Sequence, residues 1–414
     1  MWLLVYNRKF FYTKLNPGNI DGASAVFHRR KKTMRDDLEE KPLLCIETMH
    51  GFEQGFAKLT PFDMKIIYVS LPTLIEECLR HNTAVGLVKG PRTKIGKREL
   101  ELLVQRHPNL VISYIGRHPS QMLAPELQDA ATISEEALLT VQTSYRNVPV
   151  LSLARSPLSS AVCAYVVTLS QDLLQNRYDR LQQLSIHTGN TFSIRKGHTF
   201  TEDSLEGYRL NARYNIAVVG AGDIGSRVIR SYVQAGAQVM YSARQAQPEF
   251  SERCRFIPSI SDLLRSQSRI DVLTIHVPSG TVIPLEQVQN VGLFINTSSG
   301  SCIDEDELIR ALEERRIHRA LIDVFQCEGE DFYGRIDMRT KSLVQSQLNP
   351  LPHVFDTARD IKRKRLLQSF INEQRLFLTP HIAYLEGSAV CKTLSLAIEN
   401  IIRCHSTCMP LAAC

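Results

Sequence analysis

Residues 214 to 245, "YNIAVVGAGDIGSRVIRSYVQAGAQVMYSARQ", constrain the fold of this chain more than any other stretch. The apolar run Asn215–Val219 reads as a buried strand, and Asp223–Ala235 reads as an amphipathic helix. Between them stand Gly220, Gly222 and Gly225 in Gly-x-Gly-x-x-Gly spacing. The first glycine permits a tight turn, the second lets a pyrophosphate approach backbone N–H groups, and the third allows close helix–strand contact. The amino terminus of the helix then favours the phosphate charge. A strand, this turn and a helix in that order predict a doubly wound parallel-sheet domain that binds a dinucleotide. Gly220, Gly222, Asp223, Ile224 and Gly225 are expected at its phosphates.

The strand after that helix, "AQVMYSARQ", is where a carboxylate would bind the 2′-hydroxyl of the adenosine ribose. Ser242 stands at its end instead, with Arg244 two residues on. Without the carboxylate a 2′-phosphate is not repelled, and a guanidinium can pair with it. The cofactor expectation is therefore NADP or NAD, leaning to NADP, with Ser242 and Arg244 at the adenosine end. Arg244 as an ordinary surface residue is the competing reading.

The rest of the chain follows an α/β rhythm. "LLCIET" (43–48), "MKIIYVS" (64–70), "TAVGLVK" (83–89), "LVISYIG" (110–116) and "VPVLSLA" (148–154) read as buried strands separated by helical stretches. Further strands are expected at 270–278, 291–297, 318–325 and 376–384, and the C-terminal "SAVCKTLSLAIENIIRC" reads as an amphipathic helix. Alternation of this kind predicts parallel sheets covered on both faces. Segment 157–185 reads as one long helix bridging two domains and as a candidate dimer contact. The fold class expected is α/β: two Rossmann-like, doubly wound parallel-sheet domains with a cleft between them. Residues 1–40 form an N-terminal extension expected to be disordered. Residues 41–154 with 385–414 form a flavodoxin-like substrate domain, and 155–384 form the dinucleotide domain. The latter carries a polar insertion at 329–376, a candidate contact for a protein partner.

Bulk properties narrow the function classes. A net charge of +6 without a basic, aromatic-interleaved stripe gives no support to direct nucleic-acid binding, and no apolar run approaches a membrane span. Ten cysteines without paired CxxC spacing suggest neither a disulfide framework nor a metal module, so no metal site is expected and a reducing compartment is. Cytoplasmic placement follows. The run Arg29, Arg30, Lys31, Lys32 also leaves a nuclear signal open.

"VVGAGDIGSRV", "VLTIHVP", "FINTSSGSCIDEDELIRALEERRIHRALIDVFQCEG" and "LTPHIA" resemble, in order and spacing, the D-isomer-specific 2-hydroxyacid dehydrogenases. "NTAVGLVKG" is also similar to a strand of the C-terminal-binding-protein corepressors, a transcriptional branch of that family. The resemblance implies hydride transfer between a nicotinamide and the carbinol carbon of a small 2-hydroxy acid, in a homodimer. It implies His381 of "TPH" as the acid–base group and Glu328 after "DVF" as the carboxylate that holds the imidazole and favours its protonated form. It further places His276, Val277, Pro278, Thr297, Ser298 and Asp323 near the cofactor.

One departure matters most. Where the family keeps an arginine that grips the substrate carboxylate, "NTSSG" has Ser299. Losing a desolvated, charge-assisted pair costs about 3–5 kcal/mol, or roughly two to four decades in rate on a 2-keto acid. "RHPSQ" (117–121) also replaces the family's usual substrate loop; Arg117 and Arg155 are candidate substitutes for the missing guanidinium. Two functions stay open on the sequence. One is an oxidoreductase acting on a small hydroxy or keto compound, with His381, Glu328 and Ser299 at the reacting centre. The other is a catalytically weak dinucleotide-sensing protein acting through partners.

Overall fold

The computed structural model describes residues 4–5, 42–47, 65–69, 71–81, 84–90, 95–115, 132–135, 140–145, 148–153, 156–184, 205, 209–210, 214–265, 269–324, 366–367, 369–379 and 381–408. Glu328, Arg117, Arg155, the 117–121 loop and most of the 329–376 insertion lie outside these residues. The chain divides into two compact units, Met1–Pro157 with Val390–Cys414, and Leu158–Ala389.

In the first unit, the described strands are β1 (Leu4–Val5), β2 (Leu43–Glu47), β3 (Lys65–Val69), β4 (Ala84–Lys89), β5 (Val111–Tyr114), β6 (Thr132–Glu135), β7 (Thr140–Tyr145) and β8 (Val148–Leu153). They hydrogen-bond in the order β1-β3-β2-β4-β5-β8-β7-β6. The part β3-β2-β4-β5-β8 is parallel and has the flavodoxin-like order. β2 is buried along its whole length, as a central strand covered on both faces must be. Helices α1 (Leu71–Arg80) and α2 (Lys97–Arg106) bury Leu74, Cys78, Leu100 and Leu103 against Leu43, Cys45, Leu87 and Ile112.

β6 and β7 extend this sheet antiparallel to β8, which the sequence reading did not anticipate. Only two residues separate β7 from β8, the spacing of a tight hairpin. "TISE" and "TVQTSY" lack the apolar run that marks a two-face-buried strand, so pairing with β8 rather than local pattern makes them strands.

The second unit is a seven-stranded sheet among the described residues, ordered β11-β10-β9-β12-β13-β14-β15 and parallel throughout. Its strands are β9 (Asn215–Val219), β10 (Gln238–Ser242), β11 (Cys254–Phe256), β12 (Ile270–Ile275), β13 (Val291–Asn296), β14 (Ile317–Ile322) and β15 (Leu376–Leu378). Helices α3 (Pro157–Leu174), α4 (Asp179–Leu184), α5 (Asp223–Ala235), α6 (Ile260–Leu264) and α7 (Glu305–Glu313) belong to it. The two-residue pleat sorts the core. Ile216, Val218, Ile295 and Leu321 face α3 and α5, while Ala217, Val219, Phe294 and Ile322 face the side of α7. Finally α8 (Gly387–Cys408) closes the chain, and its Ile401 leaves no room for a side chain at Gly86 of β4.

The expected single helix over 157–185 is two helices. After Leu174 the backbone turns left-handed at Asn176 (φ 55°), Asn176 N–H donates to Leu173 O and Arg177 N–H donates to Asp172 O. This pair of bonds is a Schellman cap, with Asn at the left-handed position it tolerates better than most residues. Arg319 adds a bond to the same helix end through Leu173 O at 2.8 Å. Residues 161–173 of α3 are buried within the chain and packed into the core of the second unit. An all-round apolar helix of that kind is a core helix.

Candidate active site

Because the second sheet is parallel, its strands end on one edge. Ser242, Val219, Ile275, Asn296, Ile322 and Leu378 form a single register row across it. The next residue of each strand therefore opens a loop at the same level, and those residues include Gly220, His276, Thr297, Asp323 and Thr379. The ladder continues one step into these loops. Gly220 N–H donates to Ser242 O, His276 N–H to Val219 O, Asp323 N–H to Asn296 O and Thr379 N–H to Ile322 O. The strand order reverses at β9, between β10 and β12, and this is where sheets of this type meet ligands.

The glycine turn occupies that point. Gly220 has φ +97°, and a Cβ there would stand 2.2 Å from the His276 carbonyl oxygen. A Cβ on Gly225 would stand 1.9 Å from the Gly220 carbonyl oxygen. Neither neighbour is a side chain that can step aside. Gly222 caps α5 with extended backbone and no side-chain bond, which leaves the first amides of the helix for a ligand. Asp223 turns its carboxylate to Arg227 (3.3 Å), and Ile224 packs on the core.

Ser242, expected at the adenosine end, is the last residue of β10. Its side chain is buried, its hydroxyl donates to Pro258 O at 3.2 Å, and its carbonyl accepts from Gly220. It ties the strand end together. Arg244 is exposed just beyond it.

The loops after β12 and β13 are stitched to each other. Ser298 Oγ donates to Ile275 O (2.6 Å) and accepts from Val277 N–H (3.2 Å). Asn296 Oδ1 accepts from Ser298 N–H, and its Nδ2 donates to Ser299 O, both at 3.0 Å. Ser298, expected near the cofactor, bonds its hydroxyl to the protein backbone. Pro278 O accepts from the Cys302 thiol, and Val277 lies beside the glycine turn, its Cγ1 3.2 Å from where a Gly220 Cβ would be. Ser299 caps the short helical turn Gly300–Cys302, and its Oγ is 3.0 Å from Ser301 Oγ, which is 3.0 Å from Ser279 Oγ. Ser299 thus stands at the end of a three-serine hydroxyl chain.

Two buried polar atoms in these loops have no protein partner: His276 Nδ1 and Thr297 Oγ1. Orphans of this kind are rare in a folded chain and point to a ligand or water. Burial pushes the His276 imidazole down to about 3, so it is neutral at ordinary pH. Its Nε2 sits 3.0 Å from Thr274 Oγ1.

His381 follows β15 with φ 53°, its N–H donating to Thr379 O and its ring edge-on to Tyr384 at 5.2 Å. Behind it lies Asp323, wholly enclosed. Asp323 Oδ1 accepts from Thr379 Oγ1 (2.6 Å) and Ile382 N–H (2.9 Å), and Oδ2 accepts from Ala383 N–H (2.9 Å). Burial raises its proton affinity, while His381, Thr379 and the two amides oppose that rise. Asp323, expected at the cofactor, is placed here as the anchor of the His381 loop. Sequence reasoning missed Asn296, Thr379 and Tyr165 as organisers of these loops. Asn and Thr next to strand ends were the available signal for the first two.

The chain's own groups fit a nicotinamide dinucleotide: a glycine turn with no space for side chains, an uncapped helix start, and two orphaned polar atoms farther along the same sheet edge. Among the described residues no group of three or more His, Cys, Asp or Glu is placed to hold a metal ion, and no helix is long and apolar enough to cross a membrane.

Residues 185–383 match the family model described as D-isomer specific 2-hydroxyacid dehydrogenase, NAD binding domain. Residues 185–383 are thus similar to the NAD-binding domain of the D-isomer-specific 2-hydroxyacid dehydrogenases. The D-specific alpha-keto acid dehydrogenase of Enterococcus faecium is 29% identical over 212 residues, 50% of this chain and 56% of that one. The chain spans about half the length or less of the curated relatives it matches first. Among solved structures, that of D-2-hydroxyisocaproate dehydrogenase has a TM-score of 0.60 at 16% identity, covering 89% of this chain and 98% of that one. The D-isomer specific 2-hydroxyacid dehydrogenase from Lactobacillus delbrueckii ssp. bulgaricus, described as an NAD complexed form, has a TM-score of 0.57 at 15% identity, over 90% and 100% of the two chains. At these identities the structural matches show that the fold is shared: two α/β units with parallel sheets.

Proposed function

We propose that this protein is a nicotinamide-dependent oxidoreductase that interconverts a small hydroxy compound and the corresponding carbonyl. The observation that carries the proposal is the common register row, which sets the glycine turn and the His381 loop on the same edge of one sheet. When bound, the dinucleotide supplies or accepts the hydride. The chain supplies the rest. The first amides of α5 hold the diphosphate, and His276 Nδ1 and Thr297 Oγ1 complete the polar lining beyond it. His381 gives a proton to the carbonyl oxygen in reduction and takes it back in oxidation. Glu328, which lies outside the described residues, is the carboxylate that the family resemblance assigns to pair with the imidazole. NADP is the preferred cofactor on this reading, because β10 ends without a carboxylate and Arg244 stands exposed beyond it.

Ser299 sets the substrate class. A hydroxyl at the end of the Ser279–Ser301–Ser299 chain can hydrogen-bond a neutral oxygen but cannot neutralise a carboxylate. A carbonyl compound without an adjacent carboxylate suits this rim better than a 2-keto acid does. The same feature favours a second reading, a dinucleotide-sensing protein of weak catalytic competence that acts through partners.

The deciding experiment is a turnover assay of the full chain with NADPH and NADH, on glyoxylate, hydroxypyruvate and carboxylate-free aldehydes and ketones. Oxidation of either cofactor dependent on one of these carbonyls is the expected result. Tight cofactor binding with no turnover on any of them would overturn the enzyme reading in favour of the second.

A further inference from the structure

Three fully buried side chains from three elements of the second unit meet behind His381. Tyr165 comes from the middle of α3, Asp323 from the end of β14, and Thr379 from the end of β15. Thr379 Oγ1 lies 2.6 Å from Asp323 Oδ1 and 2.5 Å from the Tyr165 hydroxyl. The direction of these bonds follows from proton counting. A carboxylate only accepts, and a threonine hydroxyl has one proton to give. Thr379 therefore donates to Asp323, and Tyr165 must donate to Thr379. The chain Tyr165–Thr379–Asp323 is thus polarised towards the carboxylate, and each member strengthens the next.

The far side of Asp323 faces the catalytic loop. Its oxygens accept from the N–H groups of Ile382 and Ala383, the two residues after His381. His381 itself sits at φ 53°, a left-handed conformation that is uncommon outside glycine though histidine adopts it more readily than most residues. Free rotation of the 381–383 backbone would lose both amide bonds to a wholly buried carboxylate.

We propose that Tyr165 and Thr379 are positioning residues: through Asp323 they hold the backbone at His381 in its left-handed turn and so aim the imidazole. Tyr165 is the outer brace. It is anchored on a core helix far from the loop in sequence, so the loop inherits the rigidity of α3. The inference rests on the oxidoreductase reading for its catalytic consequence but not for its structural one.

The test uses the full chain with Thr379→Val, which removes the donor to Asp323; Thr379→Ser, which keeps it; and Tyr165→Phe, which removes only the outer hydroxyl. Two readouts are taken, steady-state kinetics and the Cε1–Hε1 NMR signal of His381. NADPH binding by fluorescence checks that each variant is folded. Thr379→Val is expected to lower kcat about tenfold or more with KM nearly unchanged and to shift or split the His381 signal. Tyr165→Phe should do the same to a smaller degree, and Thr379→Ser should restore both. If the unmodified protein turns over no carbonyl, the oxidoreductase reading fails and the NMR arm alone decides the positioning. A His381 signal that stays in place in folded Thr379→Val and Tyr165→Phe overturns the proposal, as does a Thr379→Ser variant no better than Thr379→Val.

Discussion

Two loops on the same sheet edge solve the problem of ligand contact in opposite ways. After β9, the glycine turn is built from backbone: His276 O and Gly220 O lie where a Cβ on Gly220 or Gly225 would go. After β13, the loop works with side chains, and in this chain those side chains are occupied with each other. Asn296 and Ser298 fasten the loop to its neighbours, and Ser299 joins Ser301 and Ser279. A backbone-built site leaves almost no residue free to vary, because a substitution collides with main chain. A side-chain-built loop keeps its shape through Asn296 and Ser298, and a change at Ser299 would leave those bonds in place. The cofactor end and the substrate rim can thus diverge in chemistry without the sheet moving.

The contrast is open to direct tests. The largest effect is expected from Gly225→Val, which should abolish dinucleotide binding, a loss of at least about a hundredfold by fluorescence titration, through a clash with a carbonyl that cannot relax. Unchanged binding would show that the turn is not a cradle. His381→Ala should lower kcat by roughly two to four decades, the usual contribution of a positioned acid–base group, and leave cofactor affinity intact. Ser299→Arg should raise turnover of glyoxylate or hydroxypyruvate about tenfold or more; no gain would mean that the rim differs from the family's by more than one residue. Arg244→Ala should weaken NADPH about tenfold, near 1.4 kcal/mol, and leave NADH alone, whereas equal loss for both cofactors would refute the 2′-phosphate contact.

The smallest effect at neutral pH belongs to His276→Asn. In the folded chain the imidazole is pushed down to about 3 from an ordinary 6.5, so protons bind the unfolded chain first. The neutral buried imidazole contributes stability in full above pH 6.5, and that contribution is lost as pH falls towards 3. His276→Asn should therefore show a shallower loss of stability between these limits in urea unfolding. Parallel acid limbs in the two proteins would place His276 in contact with water.

The sequence alone determined the glycine turn, the strand Asn215–Val219 and the helix Asp223–Ala235, because a dinucleotide turn is a local code of glycine spacing between two periodic runs. It also determined the parallel strands whose apolar runs are covered on both faces. Other features became visible only in three dimensions. Thr132–Glu135 and Thr140–Tyr145 are strands by virtue of β8, and α3 stops at a left-handed Asn176 that looks like any polar helix residue in sequence. Ser242, Ser298 and Asp323 were placed at the cofactor by motif position, and in the folded chain each also hydrogen-bonds a neighbouring segment of the protein. A motif states which residue stands at a strand end. Whether its side chain meets a ligand or a backbone carbonyl depends on the neighbouring strand, and Tyr165, 214 positions before the threonine it braces, is beyond any local pattern.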